Sequence, residues 1–406
     1  MSIVPKNDVP LQAGVEHELI FRAPDFKPTE PSAGLCDLAA RLWIAKMLNN
    51  VDGISVDLEI PETKVRAIQS VYNSSWTLPY ESGLKNSENR SVNPNDYYDL
   101  ELASPVAEIS DVEWIKQTEA IYTMFRQKEI TVLAPADTCA THVHISPLVG
   151  GWKIHALKSI SKAIIYYERC IDALIHKDHL HSFGCKDSNF ASVLYQSDVA
   201  NEPGKDWRAV WNIDNVCPRQ DLMTMLWGKI GRCETKEDIV RLMCSLPENS
   251  KKLDPTFGSK PPEERESPEI TRNHRWNFRP LLDERKMTHD PADGSPHVLG
   301  TVEFRQPEGS VTAEKAIGWR LFATGFVQAA LRFESDNSMA EKTPTVTDLQ
   351  SFVEQGVRAN GCNDERVKVV FEQDSGAEPS SIEFRMVNGF EEYQITCGPL
   401  SDSGSE

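Results

Sequence analysis

No two cysteines in this 406-residue chain stand in a C-x-x-C pair, although nine are scattered between Cys36 and Cys397. That argues against structural zinc, and an odd, dispersed count argues against a disulfide framework. Free thiols in a reducing, cytoplasmic setting are the expectation. The opening MSIVPKNDVP lacks the apolar segment of a secretion signal. Long hydrophobic runs are absent too: Ala163-Ile164-Ile165-Tyr166-Tyr167 is far too short to span a bilayer. Basic residues are in deficit, 43 against 61 acidic, for a formal net charge of -18. A phosphate backbone or an anionic bilayer would be repelled, so neither nucleic acid nor membrane is an expected partner. There is no G-x-S-x-G or Cys–His signature of a covalent nucleophile.

What is present is a soluble-enzyme composition and four short segments that alternate polar and apolar residues, the period of a half-buried strand. They are Gly14 to Leu19, Leu100-Glu101-Leu102, Thr141 to Ser146 and Gly300 to Arg305. In each, the residues able to bind a metal fall on a single face. Glu16 and Glu18 stand two apart and repel each other unless a cation sits between them. His142 and His144 form an H-x-H pair without the cysteine or acidic neighbours of a zinc site, so they suit magnesium or manganese among carboxylates. Glu303 and Arg305 project together while Val302 and Phe304 point inward. A local ion pair would also explain those two. Upstream, Arg275, Asn277 and Arg279 share one side of another alternating stretch and are candidate donors to an anionic ligand.

The remainder reads as helices and connections. Residues 1–12 are expected to be a flexible arm, followed by a strand from about Ala13 to Arg22 and a Pro-rich loop. Helices are expected over 35–48, with Leu35, Leu38, Leu42 and Ile44 on the apolar side, and over 112–129 and 153–176. Two shorter ones are expected within 220–246, and a strong amphipathic helix over 313–333 opens at Thr312 as N-cap. Residues 71–95 read as a long mobile connection and 251–268 as an exposed loop or lid. A catalytic domain over 13–335 would be followed by an extension, 336–400, with one more helix and a short strand. Residues 401–406 form a disordered tail.

Taken together, these residues resemble the carboxylate–amine ligase superfamily of glutamine synthetase and glutamate–cysteine ligase. They are most similar to its amidoligase family. The G-x-E-x-E strand is matched by Gly14, Glu16 and Glu18, and E-L-x-S-P by Glu101, Leu102, Ser104 and Pro105. H-V-H-x-S is matched by His142 to Ser146, and G-T-x-E-F-R by Gly300 to Arg305. The chain departs from the family where Trp76 to Leu84 offers Glu81 and Ser82 at shifted spacing. It departs again where Lys177 to His181 replaces a common arginine.

The resemblance implies an α+β fold, an antiparallel sheet curved into a glutamine-synthetase-like half-barrel with helices on its outer face. It implies ATP and Mg2+ (or Mn2+) in the funnel. By position, Glu16, His142 and Glu303 would hold one metal and Glu18 and Glu101 another. His144 and Arg305 would hold phosphate oxygens, and Glu81, Ser82 and Ser104 would contact substrate. Glu101, Glu303 and Arg305 would serve catalysis, with Arg275, Asn277 and Arg279 assisting at the nucleotide. The expected substrates are a small-molecule or peptide carboxylate and an amine. Three alternatives stay open: a metal-dependent amide hydrolase, a guanidino-kinase-like phosphotransferase and a catalytically silent binding module. A hydrolase would ignore ATP, a kinase would leave a phosphorylated product, and a silent module would turn nothing over.

Overall fold

The computed structural model describes residues 9–23, 25–26, 33–58, 75–79, 97–135, 138–176, 179, 188–195, 219–245, 270, 272–282, 287–289, 296–298, 300–372, 382–387 and 390–395. Its centre is an open, nine-stranded, antiparallel-rich sheet. The strands are β1 (Leu11–Arg22), β2 (Val56–Leu58), β3 (Trp76–Leu78), β4 (Tyr98–Ala103), β5 (Ala107–Glu108), β6 (Thr131–Leu133), β7 (Thr141–Pro147), β8 (Trp276–Asn277) and β11 (Val302–Phe304). Two further strands, β9 (Met287–His289) and β10 (Pro296–Val298), pair only with each other, and so do β12 (Ile382–Val387) and β13 (Phe390–Ile395). The main order is β2-β3-β4-β1-β7-β11-β8, with β5 and β6 also on β1. Among the described strands, only β2 and β3 pair in parallel.

Alternation gives the sheet two unlike faces. Val15, Val143, Ile145, Val302 and Phe304 are buried on one of them. They meet helix α7 (Ala313–Ala330), where the Phe304 ring lies 5.6 Å from Phe322 and 6.1 Å from Trp319. On strand β8, Trp276 extends the stack, 4.5 Å from Phe304 and 5.1 Å from Phe326. Buried Arg320 of α7 donates to the Ala13 carbonyl at 2.7 Å and lies over the Trp114 ring, tying helix α2 (Glu113–Gln127) to β1. The other helices are α1 (Ala33–Leu48), α3 (Ile154–Asp172), α4 (Asn189–Tyr195), α5 (Arg219–Arg232), α6 (Lys236–Cys244), α8 (Asn337–Glu341) and α9 (Val346–Ala359). No helix among the described residues is long and apolar enough to cross a membrane.

Most helices match expectation, and the departures have physical causes. Leu157, Ile160, Ile164, Tyr167 and Ile171 of α3 are all buried. Thr312 caps α7 by accepting from Lys315 N–H. In α1 the buried stripe is Ala40, Ile44 and Leu48 at helical spacing, while Leu42 is exposed. Strand β1 starts at Leu11, inside the stretch expected to be an arm, because Leu11 pairs with Pro147 and is buried. Of the connection expected over 71–95, the described part, 75–79, contains β3, since buried Trp76 and Leu78 supply a strand's apolar side, and the remainder lies outside the described residues. Beyond Asn277 the chain leaves the sheet for a 3-10 turn, Arg279–Leu282, where Pro280 has no N–H for a ladder. The expected lid, 251–268, and tail, 401–406, lie outside the described residues. The five described cysteines, Cys139, Cys170, Cys233, Cys244 and Cys362, are free and buried.

The segment expected as a C-terminal extension has its first part on the core. Helix α9 crosses α7 at backbone contact: a Cβ on Gly356 would lie 1.8 Å from the Gly325 carbonyl oxygen. Glycine is required there because nothing else lets the helices approach so closely. Gly356→Ala is therefore expected to lower stability by about 3 kcal/mol in urea melts, as overpacking does. Gly231→Ala in α5, where a Cβ meets nothing within 4 Å, should be neutral or gain up to about 1 kcal/mol. Equal melts for the two variants would refute the close crossing.

Candidate metal and phosphate site

The face opposite the helices collects the polar residues, and the strand register decides which meet. Across β1 and β7, Glu16 stands opposite His142 and Gly14 opposite His144. Across β7 and β11, His144 stands opposite Glu303, which in turn stands opposite Asn277 of β8. On the other side of β1, Glu18 stands opposite Glu101 of β4. Residues directly opposite in an antiparallel pair share a face, so the residues from Glu101 to Asn277 lie on one face as a staggered band across five strands. Gly300 lets β11 begin where it does: a Cβ there would lie 2.4 Å from the Leu281 Cα in the 3-10 turn.

Glu16, His144 and Glu303 each offer a ligand atom, all within 4.8 Å of one another. Octahedral magnesium or manganese, with bonds of about 2.1 Å, places its donors roughly 3–4 Å apart. The set therefore fits a divalent ion after a small contraction. His144 Nε2 is 3.2 Å from Glu16 Oε1 and 3.6 Å from Glu303 Oε1. Its Nδ1 lies 3.3 Å from the Thr301 hydroxyl, which fixes the ring and turns Nε2 toward the carboxylates. The Nδ1 of buried His142 is 3.4 Å from Glu16 Oε2, 3.7 Å from Glu18 Oε1 and 3.9 Å from Glu303 Oε1. Arg305 Nη1 donates to Glu303 Oε1, and Asn277 Nδ2 donates to Oε2 at 2.6 Å.

The electrostatics keep the carboxylates ionised. Burial alone would raise Glu303, but the Arg305 guanidinium, His144 and His142 outweigh it and take the carboxyl down to about 2. Burial likewise opposes ionisation of Glu16. The charge of His144 and hydrogen bonds from both imidazoles hold it well below the usual carboxylate range. Burial pulls Arg305 down, yet Glu303, Glu18 and Glu16 raise it above its ordinary value. Ionised carboxylates and a paired guanidinium therefore lie on one face, a charge arrangement suited to a metal and a phosphate.

The sequence-derived residues divide into three groups. Glu16, Glu18, Glu101, His142, His144, Glu303 and Arg305 come together. One set that could hold a metal, Glu16, His144 and Glu303, includes His144, which was expected at a phosphate. Asn277 is on the face but donates to Glu303. Arg275 turns to α3, where its Nη1 is 2.7 Å from Glu168 Oε1 and 2.9 Å from Asp172 Oδ2. The buried guanidinium is paired there with two buried carboxylates, as a buried charge requires. Arg279 is exposed in the 3-10 turn. Ser104 is buried, accepts from Val15 N–H at 2.9 Å and donates to the Pro105 carbonyl, so it holds the β1–β4 junction. Glu81 and Ser82 lie outside the described residues. Thr301 was missed as a site residue; its position two before Glu303 was the available signal.

Residues 10–206 match the family described as putative amidoligase enzyme. The match covers Glu16, Glu18, Glu101, His142 and His144, while Glu303 and Arg305 lie beyond it and join through the β7–β11 register. The chain is similar to a structure described as a novel glutamine synthase homologue, with 10% identity and a TM-score of 0.37, covering 91% of this chain and 69% of that one. It is also similar to apo GmaS without ligand, with 11% identity and a TM-score of 0.32, covering 92% and 68%. A bifunctional glutathione synthetase from Pasteurella multocida aligns at 10% identity and a TM-score of 0.33, and this chain spans about half of it, 47%, with 89% of its own length. No curated protein sequence matches.

A face built this way should take up a divalent ion. Mn2+ at about a hundred times its dissociation constant is expected to raise the melting temperature by roughly 5 °C, and Glu303→Gln should abolish the shift. A melting temperature indifferent to Mn2+ and to excess chelator would remove the metal from the site.

Proposed function

We propose that the protein is an ATP-dependent ligase that joins a carboxylate to an amine. The observation that carries this reading is the set Glu16, His144 and Glu303, with Arg305 beside it, on a sheet seven of whose nine strands lie within the stretch that matches the amidoligase family. In this reading the open sheet is curved as a glutamine-synthetase-like half-barrel, its helices lie outside, and ATP enters the funnel. A bound Mg2+ or Mn2+ would neutralise phosphate oxygens and orient them.

A carboxylate is a poor electrophile at neutral pH, and phosphorylation gives it a leaving group. A substrate carboxylate oxygen attacks the γ-phosphorus of ATP, and the bond to ADP breaks. The amine nitrogen then attacks the acyl carbon, the carbon–oxygen bond breaks, phosphate leaves, and the amine gives up a proton to form the amide. Glu16, His144 and Glu303 would hold one ion and Glu18 with Glu101 a second, with His142 between them. Arg305 would donate to the transferring phosphoryl group through its planar fork. Its approach is fixed in advance by Glu303, so little reorganisation accompanies charge development. The substrates are a small-molecule or peptide acid and an amine, and Glu81 and Ser82 are the proposed acceptor contacts.

ADP should form only when acid, amine and divalent ion are all present. Release of ADP without an amine, with a stable phosphorylated acid, would indicate a phosphotransferase instead. Arg305→Lys keeps the charge but not the fork, and should slow ADP formation by roughly a hundredfold, the usual cost of one transition-state donor. A Lys variant near the parent rate would return Arg305 to being an ion-pair partner of Glu303.

A further inference from the structure

The proposed chemistry makes no use of a buried cluster behind the sheet edge. Glu168 and Asp172 stand four apart on the last turns of α3, both buried, and share the Arg275 guanidinium. Gln306 donates its amide to Asp172 Oδ1. Glu168 takes more: Ser188 Oγ donates to Oε1 and Phe190 N–H to Oε2 at 2.9 Å, so the same carboxylate starts helix α4. The intervening residue, Asn189, clasps the edge strand. Its Oδ1 accepts from Trp276 N–H at 2.9 Å, and its Nδ2 donates to the Trp276 carbonyl at 2.8 Å.

These contacts surround one residue. Arg275 and Trp276 immediately precede Asn277, whose amide holds Glu303 Oε2. Gln306 immediately follows Arg305, which holds Oε1, and Arg305 N–H donates to the Arg275 carbonyl at 2.9 Å. Strand β8 is two residues long and lies at the sheet's end, so pairing alone leaves it poorly fixed. Glu168 fixes it twice, through Arg275 and through Ser188–Asn189–Phe190. We infer that Glu168 is a positioning residue for Glu303, acting through Arg275, Asn189 and Asn277 to hold the carboxylate in its ligand geometry. This rests on the metal reading of Glu303.

The test is Mn2+ binding by calorimetry to the full chain, with no nucleotide or substrate. Outer partners of a ligand commonly govern metal affinity by tenfold or more. Glu168→Gln and Asn277→Ala should each weaken Mn2+ binding by about tenfold, and the double variant should bind no worse than Asn277→Ala alone. A merely structural Glu168 would lower the urea midpoint without that coupling. If Glu168→Gln does not fold, Asn189→Ala, which leaves the buried carboxylate paired, should show the same coupling to Asn277. Parent-like Mn2+ affinity in the foldable variant, or effects that multiply in the double variant, overturns the inference. If Glu303→Gln loses Mn2+ while Glu168→Gln retains it, only this inference falls. If Glu303→Gln binds like the parent, the metal reading falls and takes the inference with it.

Discussion

Like charges crowded on one face of a sheet are the constraint to which the other features answer. Glu16 and Glu18 of β1, Glu101 of β4 and Glu303 of β11 lie on the same face, with Glu18 directly opposite Glu101. Two unit charges about 4 Å apart repel by roughly 4 kcal/mol at the effective dielectric of a protein surface. His142, His144 and Arg305 offset part of that repulsion, and Glu303, with Arg305 and Asn277 on its two oxygens, is the best compensated. A cation would offset the remainder. The opposite face must be correspondingly strong, which fits the unbroken stack of Trp276, Phe304, Phe322 and Phe326 beneath the ligands.

This division of labour is why the face was legible in the sequence. A strand's period of two sends Glu303 and Phe304 in opposite directions whatever surrounds them. The motif residues therefore announce both a core and a site. Helix α3 was equally plain, because five apolar residues at helical spacing leave little choice of face. What alternation cannot express is the competition for a side chain from elements distant in sequence. Arg275 alternates with Asn277 as a phosphate donor would, but Glu168 and Asp172 claim it from more than a hundred residues away. Ser104, read as a substrate contact, is taken by the Val15 N–H across a strand junction. The contact between Thr301 and the His144 ring likewise exists only once β7 and β11 are paired.

Edges explain the rest. Strands β1 and β7, which carry Glu16, Glu18, His142 and His144, have neighbours on both sides, and their register is fixed by many pairs. Strands β11 and β8 are short, and past β8 the chain turns away at Pro280. Yet Glu303 is the carboxylate on which the Arg305 and Asn277 side chains converge. An edge strand can hold such a residue only if something replaces the missing neighbour. The Asn189 side chain does this by presenting to Trp276 the acceptor and donor that a further strand would have offered. Since Asn189 sits between Ser188 and Phe190, both bound by Glu168, the replacement is anchored to the end of a long, well-packed helix. The accuracy of the site at its weakest edge thus comes from helix α3, beyond the reach of the strand alternation that first disclosed the site.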